Sequence, residues 1–263
     1  MKRTVQDVID AIISAVPGAP FPKTVDVIKA GDPRQEVKAV ATAFMPTYEV
    51  IEHAVRNKID LIISHEPLFY YHQDETSWLA GDPVYEAKRR LIDEHRIAIW
   101  RLHDCVHRIE PDYTVVGLIK ALGWTRYVLP GQPTVCRLPP RSLRDLAEEI
   151  KARLGLATVS VAGRDDMTCE RLGILTGARG GQRQIEALRS LDLDAAVCGE
   201  INEWETAEYV RDAVRMGLSK AVIVIGHSAS EEDGMREIIP WLQALLPGLP
   251  ITFIPSGGVI RVL

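Results

Sequence analysis

The sequence is poor in several features, and each shortage narrows the chemistry open to it. Only 4 of its 263 residues are cysteine. They stand at 105, 136, 169 and 198, too far apart for a zinc knuckle or a thiol redox pair. Buried, reduced thiols in a cytoplasmic chain are therefore expected. Positive charge is not in excess: 31 Lys and Arg against 36 Asp and Glu give a net charge of −5. A nucleic-acid partner is disfavoured, because phosphates call for a basic surface. No apolar run approaches the ~18 residues of a membrane helix, so no membrane partner is expected. Residues 1–7 carry an acid early and lack the apolar core of a secretory signal. No Gly-Lys-Ser/Thr follows a glycine-rich turn, which excludes a P-loop.

What is present is an ordinary globular composition, 46% hydrophobic and 25% charged. Disorder is thereby excluded as the main state. The length suits two domains or one large α/β unit. Short apolar runs alternate with amphipathic stretches, the pattern of βαβ units and mostly parallel sheets flanked by helices. Strands are expected at 37–43, 60–64, 97–102, 157–162, 171–176, 195–198, 221–225 and 251–254. Helices are expected at 48–57, 84–95, 112–122, 143–153, around Ile185 and Leu188, at 203–216 and at 231–245. Proline and glycine cluster at 129–133 and 139–140. We therefore expect a first lobe over 1–128, a middle lobe over 129–190, and a segment 191–263 that returns to the first lobe and completes its site.

The histidines carry the chemical signal. His65 follows run 60–64 directly, His103 follows run 97–102 with His107 four residues on, and His227 comes two residues after run 221–225. Functional groups in open α/β sheets gather at the carboxyl ends of strands. Carboxylates accompany them: Glu66 adjoins His65, and Glu231 lies one helical turn from His227 if a helix has begun there. Imidazoles with carboxylates suit zinc, iron, manganese or cobalt better than calcium or magnesium. The donors outnumber the needs of one four-coordinate ion, so two divalent ions sharing a carboxylate or a water are expected.

Weaker signals have plain alternatives. Residues 226–230 look like a nucleophile elbow, but no His follows His227 in the chain. The turn 177–181 reads as a tight turn, or as a phosphate cradle. Tyr70, Tyr71, His72 and Trp78 either line a substrate pocket or cover a loop. Glu200, Glu203 and Glu205 read as a solvated helix start, with Glu200 placed to reach the site.

Four segments resemble motifs of the NIF3-like (DUF34) dinuclear-metal family. Residues 62–69, Ile-Ile-Ser-His-Glu-Pro-Leu-Phe, are similar to its Ser-His-His-Pro-Leu segment. Residues 103–107, His-Asp-Cys-Val-His, are similar to His-Thr-Asn-x-Asp, and 226–231 resemble Gly-His-x-x-Thr-Glu. Cys198-Gly199-Glu200 resembles Thr-Gly-Glu. The resemblance spans nearly the whole chain. It implies an α/β, two-lobed architecture and a ligand set of His65, Glu66, His107, His227 and Glu231. Glu66 stands where His is usual and His107 where Asp is usual, a reciprocal swap that keeps three imidazoles and two carboxylates. The alternative is loss of one metal position. His103 matches the family position and stands as the candidate catalytic residue, in the role of proton carrier, ligand or support for a ligand. The resemblance further implies a ring-shaped homohexamer. It also implies a hydrolase of a small molecule, with nucleotides the first class to test because relatives carry a GTP cyclohydrolase label. A metal-binding regulatory or scaffold protein is the competing function.

Overall fold

The computed structural model describes residues 2–260. Two compact units are present: residues up to Tyr113 together with Met235–Ser256, and Thr114–Gly234 together with the residues from Gly257 on. Both are α/β.

In the first unit, a capping box between Thr4 and Asp7 starts helix α1 (Val5–Ile13), and short strands β1 (Arg3–Thr4) and β3 (Glu36–Val37) pair antiparallel beside it. The main sheet has the order β13-β4-β5-β6-β2. Its strands are β2 (Ile28–Ala30), β4 (Val40–Ala43), β5 (Leu61–Ser64), β6 (Ala98–Arg101) and β13 (Ile251–Phe253). All pairs are parallel except β2 with β6. Side chains alternate across it: Val40, Leu61, Ile63, Ala98 and Trp100 pack with α1 and with α9 (Ile239–Leu245). Ala41, Ala43, Ile62 and Ile99 pack with α2 (Tyr48–Arg56) and α3 (Pro83–His95). A sheet covered on both faces explains why its strands are continuous apolar runs. Thr47 caps α2, and Asp82 caps α3 ahead of Pro83. The expected strand 37–43 is divided into β3 and β4, because the Asp60 carboxylate takes the amides of Lys38 and Ala39 at 2.7 and 3.1 Å.

The second unit begins with α4 (Tyr113–Ala121) and holds a sheet of order β7-β8-β10-β11-β12-β9. These are β7 (Val128–Leu129), β8 (Gln132–Ser142), β9 (Ser160–Ala162), β10 (Thr168–Leu175), β11 (Ala195–Cys198) and β12 (Ala221–Val224). Only β10–β11 and β11–β12 are parallel, so this sheet is mixed rather than mostly parallel. Leu172, Ile174, Val197 and Ile223 face α4 and α5 (Leu143–Arg153). Val135, Ala196, Cys198 and Val222 face α6 (Gly181–Ser190) and α7 (Glu208–Arg215). All four cysteines are buried and free. Burial pushes the thiols of Cys169 and Cys198 up to about 12.

The prolines read as a linker belong to this sheet. Pro130 and Gly131 turn the β7–β8 hairpin, Pro133 lies within β8, and Pro139 and Pro140 occupy a bulge where the β8–β10 register shifts. The chain therefore crosses between units at 113/114, 234/235 and 256/257, not at 128 and 190, and β11 and β12 share the sheet of β8 and β10. The expected helix 203–216 opens with a π turn, Glu203–Ala207, ahead of α7. The expected helix 231–245 is two helices, α8 (His227–Glu237) and α9, with Pro240 in the first turn of the second.

Within the second unit, α4 meets α8 at Gly117. A Cβ there would lie 2.3 Å from Gly234 N and 2.5 Å from the Asp233 carbonyl carbon, backbone that cannot rotate away. Gly117→Ala should therefore destabilise the protein by about 1–3 kcal/mol. Denaturant unfolding checks this through a lower midpoint at unchanged slope; an unchanged midpoint would show that the helices are free to part.

Candidate metal centre

The register of two parallel strands builds the centre of the first unit. Ser64 of β5 stands opposite Arg101 of β6, so the residues just beyond both carboxyl ends meet. His65 Nδ1 lies 3.2 Å from Leu102 O, while Arg101 Nε donates to His65 O at 3.0 Å. A carbonyl only accepts, so His65 carries its proton on Nδ1 and keeps the Nε2 lone pair. His103 Nδ1 faces Asp104 Oδ1 at 3.1 Å, and His107 Nδ1 faces Asp112 Oδ2 at 2.9 Å. The same reasoning leaves Nε2 as the lone-pair nitrogen of both. The three rings are mutual neighbours: His65 and His103 stack with centroids 4.7 Å apart, and His107 stands edge-on to them at 5.1 and 4.9 Å. One ligand nitrogen from each lies within 4.8 Å of the other two. His65 is fully buried, and the side chains of His103 and His107 are 19% and 23% exposed.

This donor set fits a transition metal. Ligating histidines characteristically donate the other ring N–H to a carboxylate or carbonyl, and that is the state of all three rings. Burial first, then the neighbouring His65 and His107 rings and Arg101, push His103 down to about 3 against the opposing pull of Asp104. The His103 imidazole therefore presents a lone pair across the physiological range. Glu66, also buried, places Oε1 3.7 Å from His103 Nε2 and Oε2 3.4 Å from Arg101 Nη2.

The groups that hold these rings are not visible in the sequence. Asp26 is buried and accepts the amides of His103, Asp104 and Cys105 at 2.8–2.9 Å. Asp104 in turn accepts the Thr24 hydroxyl at 2.8 Å and the Val25 amide at 3.1 Å. Burial raises the Asp104 carboxyl, but Thr24, His103 and Val25 outweigh it and hold it below the usual carboxylate range. His72 packs edge-on to His103 at 5.3 Å, with its Nδ1 3.3 Å from Arg101 Nη2. A guanidinium only donates, so the His72 proton sits on Nε2. Tyr70, Tyr71 and Trp78 are exposed on the same segment. His53 and His95 lie exposed on α2 and α3.

In the second unit, α8 begins at His227, so Glu231 lies one turn on. His227 Nε2 is 3.0 Å from Glu231 Oε2 and its Nδ1 is 2.9 Å from Glu200 Oε1. Glu200 therefore serves His227 and is no mere solvated helix start. Glu205 accepts the Gly181 amide at 3.1 Å, and the Gly177 amide goes to Ser230 Oγ at 2.9 Å. The first and last amides of the turn 177–181 are thus engaged within the protein, as in a plain tight turn.

A family model described as Duf34/NIF3 (NGG1p interacting factor 3) matches residues 4–257. A Vibrio cholerae protein named GTP cyclohydrolase 1 type 2 homolog is 26% identical over 227 residues, covering 83% of this chain and 84% of its own. A Clostridium acetobutylicum protein of the same name is 22% identical over 215 residues, covering 78% and 76%. Among solved structures, a Bacillus cereus protein related to NIF3 superposes with a TM-score of 0.77 at 15% identity over 99% of both chains. A Staphylococcus aureus protein gives 0.76 at 18% identity, again over 99% of both. These structures show that the fold is shared.

Asp112 reaches the centre through His107. Asp112→Ala should weaken Zn²⁺ binding 10–100-fold. Competition titration with a chromophoric chelator checks this, and equal affinities would mean that the ring needs no such support.

Proposed function

Because the chain belongs to the Duf34/NIF3 family, we propose that it is a metal-dependent hydrolase of a small molecule, with nucleotides as the first substrate class. The observation that carries this reading is the cluster of His65, His103 and His107, each ring held through Nδ1 with ligand nitrogens within 4.8 Å. The ligand set we assign is His65, Glu66, His107, His227 and Glu231, which would hold two divalent ions of zinc, iron, manganese or cobalt. His103 joins the ligands, since its Nδ1 is committed to Asp104 and its Nε2 is the nitrogen left for an ion.

Bound there, the ions would polarise a carbonyl or phosphoryl oxygen and lower the pKa of a water. The remaining work falls to the chain. Asp104, Asp112 and the Leu102 carbonyl fix the imidazole tautomers, so no ring needs to reorient. The buried floor of β5 and β6 keeps water away from His65. Exposed Tyr70, Tyr71 and Trp78 offer flat faces on which a heterocycle can stack. The homohexamer implied by the resemblance belongs to the same proposal.

Elemental analysis of protein purified without chelator, followed by turnover assays with nucleotides and phosphoesters, tests the reading. About two metal atoms per chain are expected, with hydrolysis that chelation abolishes and the metal restores. His107→Ala should lose metal and activity together. Full metal content without turnover of any such substrate would favour a metal-binding regulatory role. No metal after reconstitution would overturn the reading outright.

A further inference from the structure

The two oxygens of Glu66 keep different company. Oε1 lies 3.7 Å from His103 Nε2, and Oε2 lies 3.4 Å from Arg101 Nη2. Arg101 is the last residue of β6 and its side chain has no solvent exposure. Its guanidinium is tied on every side. Nε donates to His65 O at 3.0 Å, Nη1 donates to His72 O, Nη2 faces His72 Nδ1 at 3.3 Å, and Asp74 Oδ2 lies 3.8 Å from Nη1. A planar fork fixed by two carbonyls cannot swing aside to release a carboxylate oxygen.

We propose that Arg101 is a positioning residue that makes Glu66 a one-oxygen metal ligand. Oε2 stays with the guanidinium, and Oε1 is the oxygen offered to the ion. This rests on the metal-binding reading above and adds to it how the acidic residue at 66 is used. A carboxylate at this buried position brings a charge that needs a partner. Arg101, one strand away, supplies it and at the same time decides which oxygen remains for the metal. Glu66 then cannot chelate one ion through both oxygens, nor bridge two.

Co²⁺ is the probe, added to metal-free protein and followed by its visible absorption and by infrared difference spectra. In the wild type, the carboxylate stretches that vanish in Glu66→Gln should show the wide splitting of a one-oxygen ligand. Arg101→Gln should weaken Co²⁺ binding about tenfold or more and narrow that splitting. Arg101→Lys keeps the charge without the fork and should not restore the affinity. In the Glu66→Gln background, Arg101→Gln should add no further loss. Tighter or unchanged binding in Arg101→Gln would overturn the proposal, since the guanidinium would then act only by repelling the cation. A narrow splitting in Co²⁺-loaded wild type would overturn it alone, leaving the metal reading intact. No Co²⁺ binding by the wild type would overturn both. Should Arg101→Gln fail to fold, the comparison of wild type with Glu66→Gln still decides.

Discussion

The candidate metal centre of the first unit depends on one arrangement: each imidazole is gripped by its Nδ1, so that the same nitrogen, Nε2, is left with a lone pair on all three. His65 is held by a backbone carbonyl, His103 and His107 by carboxylates. Three free imidazoles brought so close would each be able to rotate and to exchange tautomers, and binding an ion would have to order all of them. Here that ordering has been done by folding, and the buried sheet beneath provides the rigidity.

The grip is itself layered. Asp26 gathers three consecutive amides from the turn after β6, and Asp104 answers by taking the Thr24 hydroxyl and the Val25 amide. The segment 24–26 and the turn 103–105 thus clasp each other in both directions. On the other side of His65, Arg101 closes the segment 65–74 by holding two of its carbonyls and facing Glu66 and Asp74. Backbone amides answer the carboxylates of Asp26 and Asp104, and the Arg101 guanidinium answers those of Glu66 and Asp74. Lys88 on α3 adds a tether to Leu68 O at 2.7 Å, and burial pushes its ammonium down to about 8.

Much of this was legible in the sequence because it is local. The apolar runs 60–64 and 221–225 marked buried parallel strands, and the histidines stand just past their carboxyl ends, as their spacing implied. The i, i+4 spacing of His227 and Glu231 needed only a helix to become a contact, and α8 supplied it from its first residue. What stayed hidden is non-local. Nothing near Asp26 announces that it will cap a turn 77 residues later, and Arg101 reads as the end of a strand. The prolines at 133, 139 and 140 misled for a related reason. A hairpin turn and a bulge use the same residues as a linker, and only the pairing of β8 with β10 tells them apart. Asp104, standing where the resembling motif has Thr, holds the Nδ1 of His103 at 3.1 Å, a contact that the motif alone could not reveal.

The most direct test is a long-range ¹H–¹⁵N spectrum of the histidine rings in metal-free protein at neutral pH, repeated as Zn²⁺ is added. His65, His103 and His107 are expected to carry their proton on Nδ1 before any metal is present, and Zn²⁺ should move their Nε2 resonances while the Nδ1 signals stay in place. Rings that start as Nε2–H tautomers, or whose Nε2 resonances ignore the metal, would contradict this.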